Sequence, residues 1–161
     1  MSLKDINFLN KFNFKSGKWR PYQCGITGSI ADPTKGATSI DKGSYRIYNG
    51  SVELFYQYQQ SGAGASGTGD YLFSTPGGIV ANQNFVIISG SITDYGDGSV
   101  VGTCSAEVAG NVYYGFVTLR TNNGLVLNVT QTGPVVSAGA ALFGLANASV
   151  GFTIRANFPI Y

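Results

Sequence analysis

The sequence predicts an all-β chain, an antiparallel β-sandwich of jelly-roll-like form with a short N-terminal arm. Three observations predict it. Among 161 residues stand 23 glycines, ten tyrosines and ten phenylalanines, but one methionine. Glycine supplies the positive φ of tight turns, and aromatic side chains fit a pleated, half-buried surface. Turn signals return about every ten to twelve residues, the spacing of short antiparallel strands. Finally, Ser51 to Gln60 alternates, with Val52, Leu54, Tyr56 and Tyr58 on one face and Glu53, Phe55, Gln57 and Gln59 on the other.

The elements follow in order. In residues 1–17, Leu3, Ile6, Leu9 and Phe12 recur at intervals of three beside Lys11 and Lys15, a short apolar face suited to docking rather than to standing alone. This segment is read as an anchoring arm, which with Lys18 joins it to residues 18–161, one β-sandwich domain. Tyr45 to Tyr48 reads as a strand, Asn49-Gly50 as a tight hairpin turn, and Ser51 to Gln60 as the partner strand. Ser61 to Gly69, glycine, alanine and serine almost throughout, reads as a flexible loop. Further strands are predicted over Phe85–Thr93, Ser99–Val108, Val112–Arg120, Leu125–Gln131 and Val150–Asn157, each bounded by Asp, Asn, Gly or Pro. Val136 to Ala148 fits either a helical turn or a strand packed closely on another backbone.

Charge is scarce and uneven. Only 11% of residues are charged, against about a quarter in ordinary soluble domains, which favours self-association. Residues 1–46 carry eight Lys or Arg against three Asp, while the rest of the chain carries two against five acids. A basic front on a near-neutral body fits an arm that attaches and a body that assembles; a merely solvated basic terminus fits equally. Cys24 and Cys104 make no disulfide framework, and both sit in strand-like sequence where a thiol behaves as a small apolar group. The first residues lack the continuous apolar core of a signal peptide, and no apolar run reaches the roughly eighteen residues of a membrane helix. Membrane insertion is therefore not expected.

Chemistry is limited by the absence of histidine. A Ser-His-Asp triad, a Cys-His pair and a His-ligated zinc are excluded within the chain, and no phosphate-binding glycine loop precedes a helix. No enzyme, metal or cofactor is expected. Asp94 and Asp97 share a turn in which Asp and Gly are the ordinary choice, and they offer too few oxygens for calcium. Glu53 and Glu107 are the one pair that could serve as glycosidase acid and nucleophile, although edge-strand solubility explains them as well. Nucleic-acid binding is not expected, because the aromatic and basic residues are segregated along the chain. Three Asn-x-Ser/Thr triplets, at Asn49, Asn128 and Asn147, are what an Asn-, Ser- and Thr-rich sequence produces by chance. Tyr56, Tyr58, Tyr95, Tyr113 and Tyr114 are the binding candidates, flat amphipathic rings for a sugar or a protein. The competing and favoured assignment is that they fill the sandwich or a subunit interface.

The stretch Trp19-Arg20-Pro21-Tyr22, Pro33, and Gly43-Ser44-Tyr45-Arg46-Ile47-Tyr48-Asn49-Gly50-Ser51-Val52 resembles a family of viral fibre and capsid-surface domains. Gly67-Thr68-Gly69-Asp70-Tyr71-Leu72-Phe73-Ser74-Thr75-Pro76 is similar to that family's Gly-x-Gly-x-Tyr-x-Phe-Ser-Leu-Pro segment, with Thr75 in place of leucine. Phe152-Thr153-Ile154-Arg155 and the closing Phe158-Pro159-Ile160-Tyr161 resemble its last strand. The likeness covers Trp19 to Gly78 and the C-terminal end, roughly half the chain. It implies a β-sandwich, often a homotrimer, displayed on a phage tail fibre or a large-virus capsid, with no catalytic motif to carry over. The expectation is thus a virion structural protein, a surface fibre, spike or capsid-associated head whose arm binds other virion proteins and whose body contacts host-surface glycans. The alternatives are a minor capsid or decoration protein that only cements, and a carbohydrate-binding module or polysaccharide hydrolase.

Overall fold

The computed structural model describes residues 17–86 and 98–160. The strands run β1 (Arg20–Tyr22), β2 (Ile26–Gly28), β3 (Thr38–Tyr48), β4 (Ser51–Gln60), β5 (Tyr71–Ser74), β6 (Val100–Val108), β7 (Asn111–Thr121), β8 (Gly124–Thr130), β9 (Val136–Ser137) and β10 (Val150–Pro159). Among the described residues one short helix, α1 (Ala140–Phe143), precedes β10. The fold is all-β, antiparallel and sandwich-like, built from a single curled sheet in the order β1-β3-β4-β10-β6-β7-β8-β5-β2, with β9 on β8. Its curl follows from the connectivity. β1 and β2 lie at opposite ends of that order, yet only Gln23, Cys24 and Gly25 join them. Four Cα steps reach about 15 Å at most, so the two ends of the sheet must approach each other.

The local chemistry matches the pattern. Asn49 and Gly50 both hold positive φ (49° and 72°), the geometry of a two-residue hairpin turn, and Ala109-Gly110 repeats it between β6 and β7. The alternation along β4 sends Val52, Leu54, Tyr56, Tyr58 and Gln60 inward, and all five are buried. Phe152 of β10 sits at the centre of the enclosed core, its ring 5.0 Å from Phe73, 6.0 Å from Tyr58, and 6.2 Å from both Tyr71 and Phe143. The buried Gln60 side chain is paired at both ends of its amide. The Gln60 amide donates to the carbonyls of Leu145 and Asn147 and accepts from the Tyr58 hydroxyl, tying the loop before β10 to the sheet.

Three sequence expectations need correction. Phe85 and Val86 do not open a strand. The Asn82 carbonyl accepts from both their amides, and its side chain accepts from the Asn84 amide, which closes a turn instead. Residues 87–93 of that expected strand lie outside the described residues, as do Leu3, Ile6, Leu9, Lys11, Phe12 and Lys15 of the arm. The 61–69 loop is not free: Ala65 bridges Thr34, and Thr68 bridges Ala31. Its glycines serve close approach, since a Cβ on Gly64 would fall 2.0 Å from the Thr34 carbonyl oxygen. Cys24 lies in the β1–β2 link rather than in a strand. The 136–148 stretch resolves into both of the forms it allowed, the two-residue β9 and the single turn α1.

Cys24 and Cys104 are free and buried. Burial pushes the Cys24 thiol up to about 11 and the Cys104 thiol up to about 12. The folded chain therefore holds these protons more tightly than the unfolded one. Stability is intact below the ordinary thiol value of 9.0 and falls as pH rises from there through 11 to 12. We expect neither thiol to react with an aromatic disulfide reagent at pH about 8 without denaturant, and both to react in it. The thermal midpoint should fall steeply above pH about 9. Rapid labelling of the native chain, or a flat midpoint across the alkaline range, would contradict this burial.

Candidate functional site

The tyrosine candidates scatter. Tyr56 and Tyr58 point into the core, because they share the buried face of β4 with Val52 and Leu54; they cannot present rings to a ligand. Tyr56 donates to Asp41 (3.0 Å), whose carboxylate also pairs with Lys35 (2.8 Å), and Lys35 donates to the Cys24 carbonyl (2.9 Å). This network joins the β1–β2 link to the sheet where its ends approach. Burial raises the Tyr56 hydroxyl far above the usual tyrosine range. Tyr113 is half-buried, edge-on to Phe143 at 5.1 Å. Tyr114 alone of the described candidates projects outward, 67% exposed on β7. Tyr95, Asp94 and Asp97 lie outside the described residues.

The carboxylate pair also separates. Glu53 stands opposite Asn157 on β10, and Glu107 stands opposite Gly151 on the same strand. Six steps of β10 lie between those rows, about 20 Å at strand rise. Glycosidase carboxylates stand about 5 to 9.5 Å apart, so these two cannot act on one bond. Glu53 is instead paired with Arg46 across β3 and β4. Among the described residues no three Cys, Asp or Glu cluster closely enough to hold a metal ion.

The register assembles a different site. On the outer face of the sheet, Ser44 (β3), Phe55 (β4), Arg155 (β10) and Thr103 (β6) form one cross-strand row, and Arg46, Glu53 and Asn157 form the next. Trp19, just before β1, stands beside these rows and is 47% exposed. The space they enclose is an open groove of about 540 Å³, lined by Trp19, Ser44, Phe55, Thr103, Arg155 and Asn157 among others. The Arg46 guanidinium lies 5.1 Å from the Trp19 ring centroid and that of Arg155 lies 5.2 Å from Phe55. Such cation–ring contacts favour these positions without a covering layer. A second depression of about 650 Å³ continues past Phe55 along Arg20, Pro21 and Lys42. Lys18, from the arm junction, is exposed next to Trp19 and pairs with no carboxylate among the described residues.

Trp19, Phe55 and Arg155 carry this groove, and none stood among the sequence-based binding candidates. One signal was present: Phe55 is the single apolar residue on a β4 face otherwise made of Glu53, Gln57 and Gln59. Arg155 gave none, because nothing local says that β10 inserts between β4 and β6. That insertion also brings basic and aromatic residues together, although they are separate along the chain. No family model, curated protein or solved structure matches the chain.

Proposed function

We propose that the chain is a non-catalytic virion surface domain, a fibre or capsid-associated head that contacts host-surface glycans through the outer groove of β3, β4, β10 and β6. The observation that carries this reading is the half-exposed Trp19 beside Phe55 in an open groove rimmed by Ser44, Thr103 and Asn157. A sugar needs that pairing: an aromatic face for its C–H surface, and small polar side chains for its hydroxyls. The viral assignment is supported by the resemblance, whose Trp19 motif supplies the groove's principal ring. The basic arm is the attachment to other virion proteins, and head copies, as a homotrimer, raise a weak single-site affinity by avidity.

A glycan panel with the whole protein tests the reading. At least one host-surface saccharide should be retained, and Trp19→Ala should weaken it about tenfold, since a stacked ring contributes on the order of 1 kcal/mol beyond its buried area. Retention unchanged by Trp19→Ala would remove the groove from the account. A cementing role, in a minor capsid or decoration protein, is favoured by one separate observation. Ile30 and Tyr114, 81% and 67% exposed, are large apolar or aromatic side chains away from the groove. That role predicts no saccharide retention together with capture by assembled particles.

A further inference from the structure

We infer that the saccharide is acidic: a pyranose whose ring lies on Trp19 and whose carboxylate meets Arg155. This rests on the reading of the groove as a saccharide site and adds the chemical class. One cation beside the groove is already committed, Arg46 to Glu53. Arg155 is exposed, lies over the Phe55 ring, and pairs with no carboxylate among the described residues. Its row neighbours Ser44, Phe55 and Thr103 are uncharged, and Glu53 in the next row, which also lines the groove, is paired with Arg46. Gly102 lines the same wall, and its missing side chain serves close approach of β10, since a Cβ there would fall 1.8 Å from the Arg155 carbonyl oxygen.

The energetics then favour one sign. Covering an unpaired guanidinium with a neutral sugar removes its water and returns only hydroxyl contacts. A carboxylate returns a charge-assisted, two-pronged contact matched to the planar fork, which an ammonium cannot make. Arg20 and Lys42 line the adjoining depression, likewise without a carboxylate partner among the described residues, and its one lining carboxylate, Asp41, is paired with Lys35, so they extend the positive surface for a second acidic unit. Single-stranded nucleic acid shares the preference for cations and rings, but it needs a track of phosphate contacts. A groove of about 540 Å³ has room for one or two rings.

Calorimetric titration of the full chain with sialyllactose, tetragalacturonate and a hyaluronate tetrasaccharide, each beside its methyl ester, tests this. Lactose, cellotetraose and a short oligothymidylate complete the set. At least one acid should bind about tenfold or more tighter than its ester, with an affinity that falls as salt rises. Arg155→Gln should erase the difference and Arg155→Lys should restore only part of it, both with the native thermal midpoint. Equal binding of acid and ester, a preference for neutral sugars, or an acid preference that survives Arg155→Gln overturns the inference and leaves the saccharide reading standing. No binding of any sugar overturns both. Oligothymidylate binding tighter than every sugar overturns the inference and assigns the groove to nucleic acid.

Discussion

Phe152→Ala is expected to remove about 4 kcal/mol of folding stability, enough to leave a domain of this size marginal at best. Four aromatic rings surround Phe152, and its own side chain is 2% exposed. Those rings come from β4, β5 and α1, so no single element can collapse into the vacated space. Truncation costs the lost transfer energy plus the cavity, and a rigid lining keeps the cavity open. Urea unfolding followed by near-ultraviolet circular dichroism measures it. A loss under about 1 kcal/mol would mean that the interior is more plastic than its ring packing implies.

Gly115→Ala should cost at least about 3 kcal/mol by a different route, backbone overlap. A Cβ at this position would fall 1.8 Å from the Asn128 carbonyl oxygen, 2.8 Å from its carbon and 2.9 Å from the Val129 Cα. All three atoms are backbone of β8, held by the β7–β8 ladder, so relief means parting the strands. Gly77→Ala is the control: no atom lies within 4 Å of the added carbon. That variant should shift stability by less than about 1 kcal/mol, or raise it through the unfolded chain. Equal effects of the two substitutions would refute the close approach of β7 and β8 at Gly115.

The hairpins were legible because their information is local. Asn49-Gly50 fixes a turn, and the two-residue alternation of β4 fixes which side chains are buried. The same alternation implied that Tyr56 and Tyr58 could not serve a surface, since they stand in register with Val52 and Leu54. Phe85 misled because apolar β-branched neighbours outweighed the turn chemistry of Asn82, a contest decided by a few hydrogen bonds. The groove was not legible. Trp19 and Arg155 are separated by most of the chain, and they meet only because β10 enters the sheet between β4 and β6. Pairings between distant strands leave no periodic trace in either strand. The glycines of the 61–69 loop show the same limit: composition reveals small residues but cannot tell freedom from close approach.

The central claim, a saccharide contact on the outer face of the sheet, is tested most directly by mapping ligand-induced shifts in the nuclear magnetic resonance spectrum of the isotope-labelled chain. The acidic oligosaccharide that binds best should move the Trp19 indole, the Phe55 ring and the Arg155 guanidinium signals together, and leave Tyr114 and Ile30 unmoved. Shifts centred on Tyr114 or Ile30, or none at saturating ligand, would contradict the account.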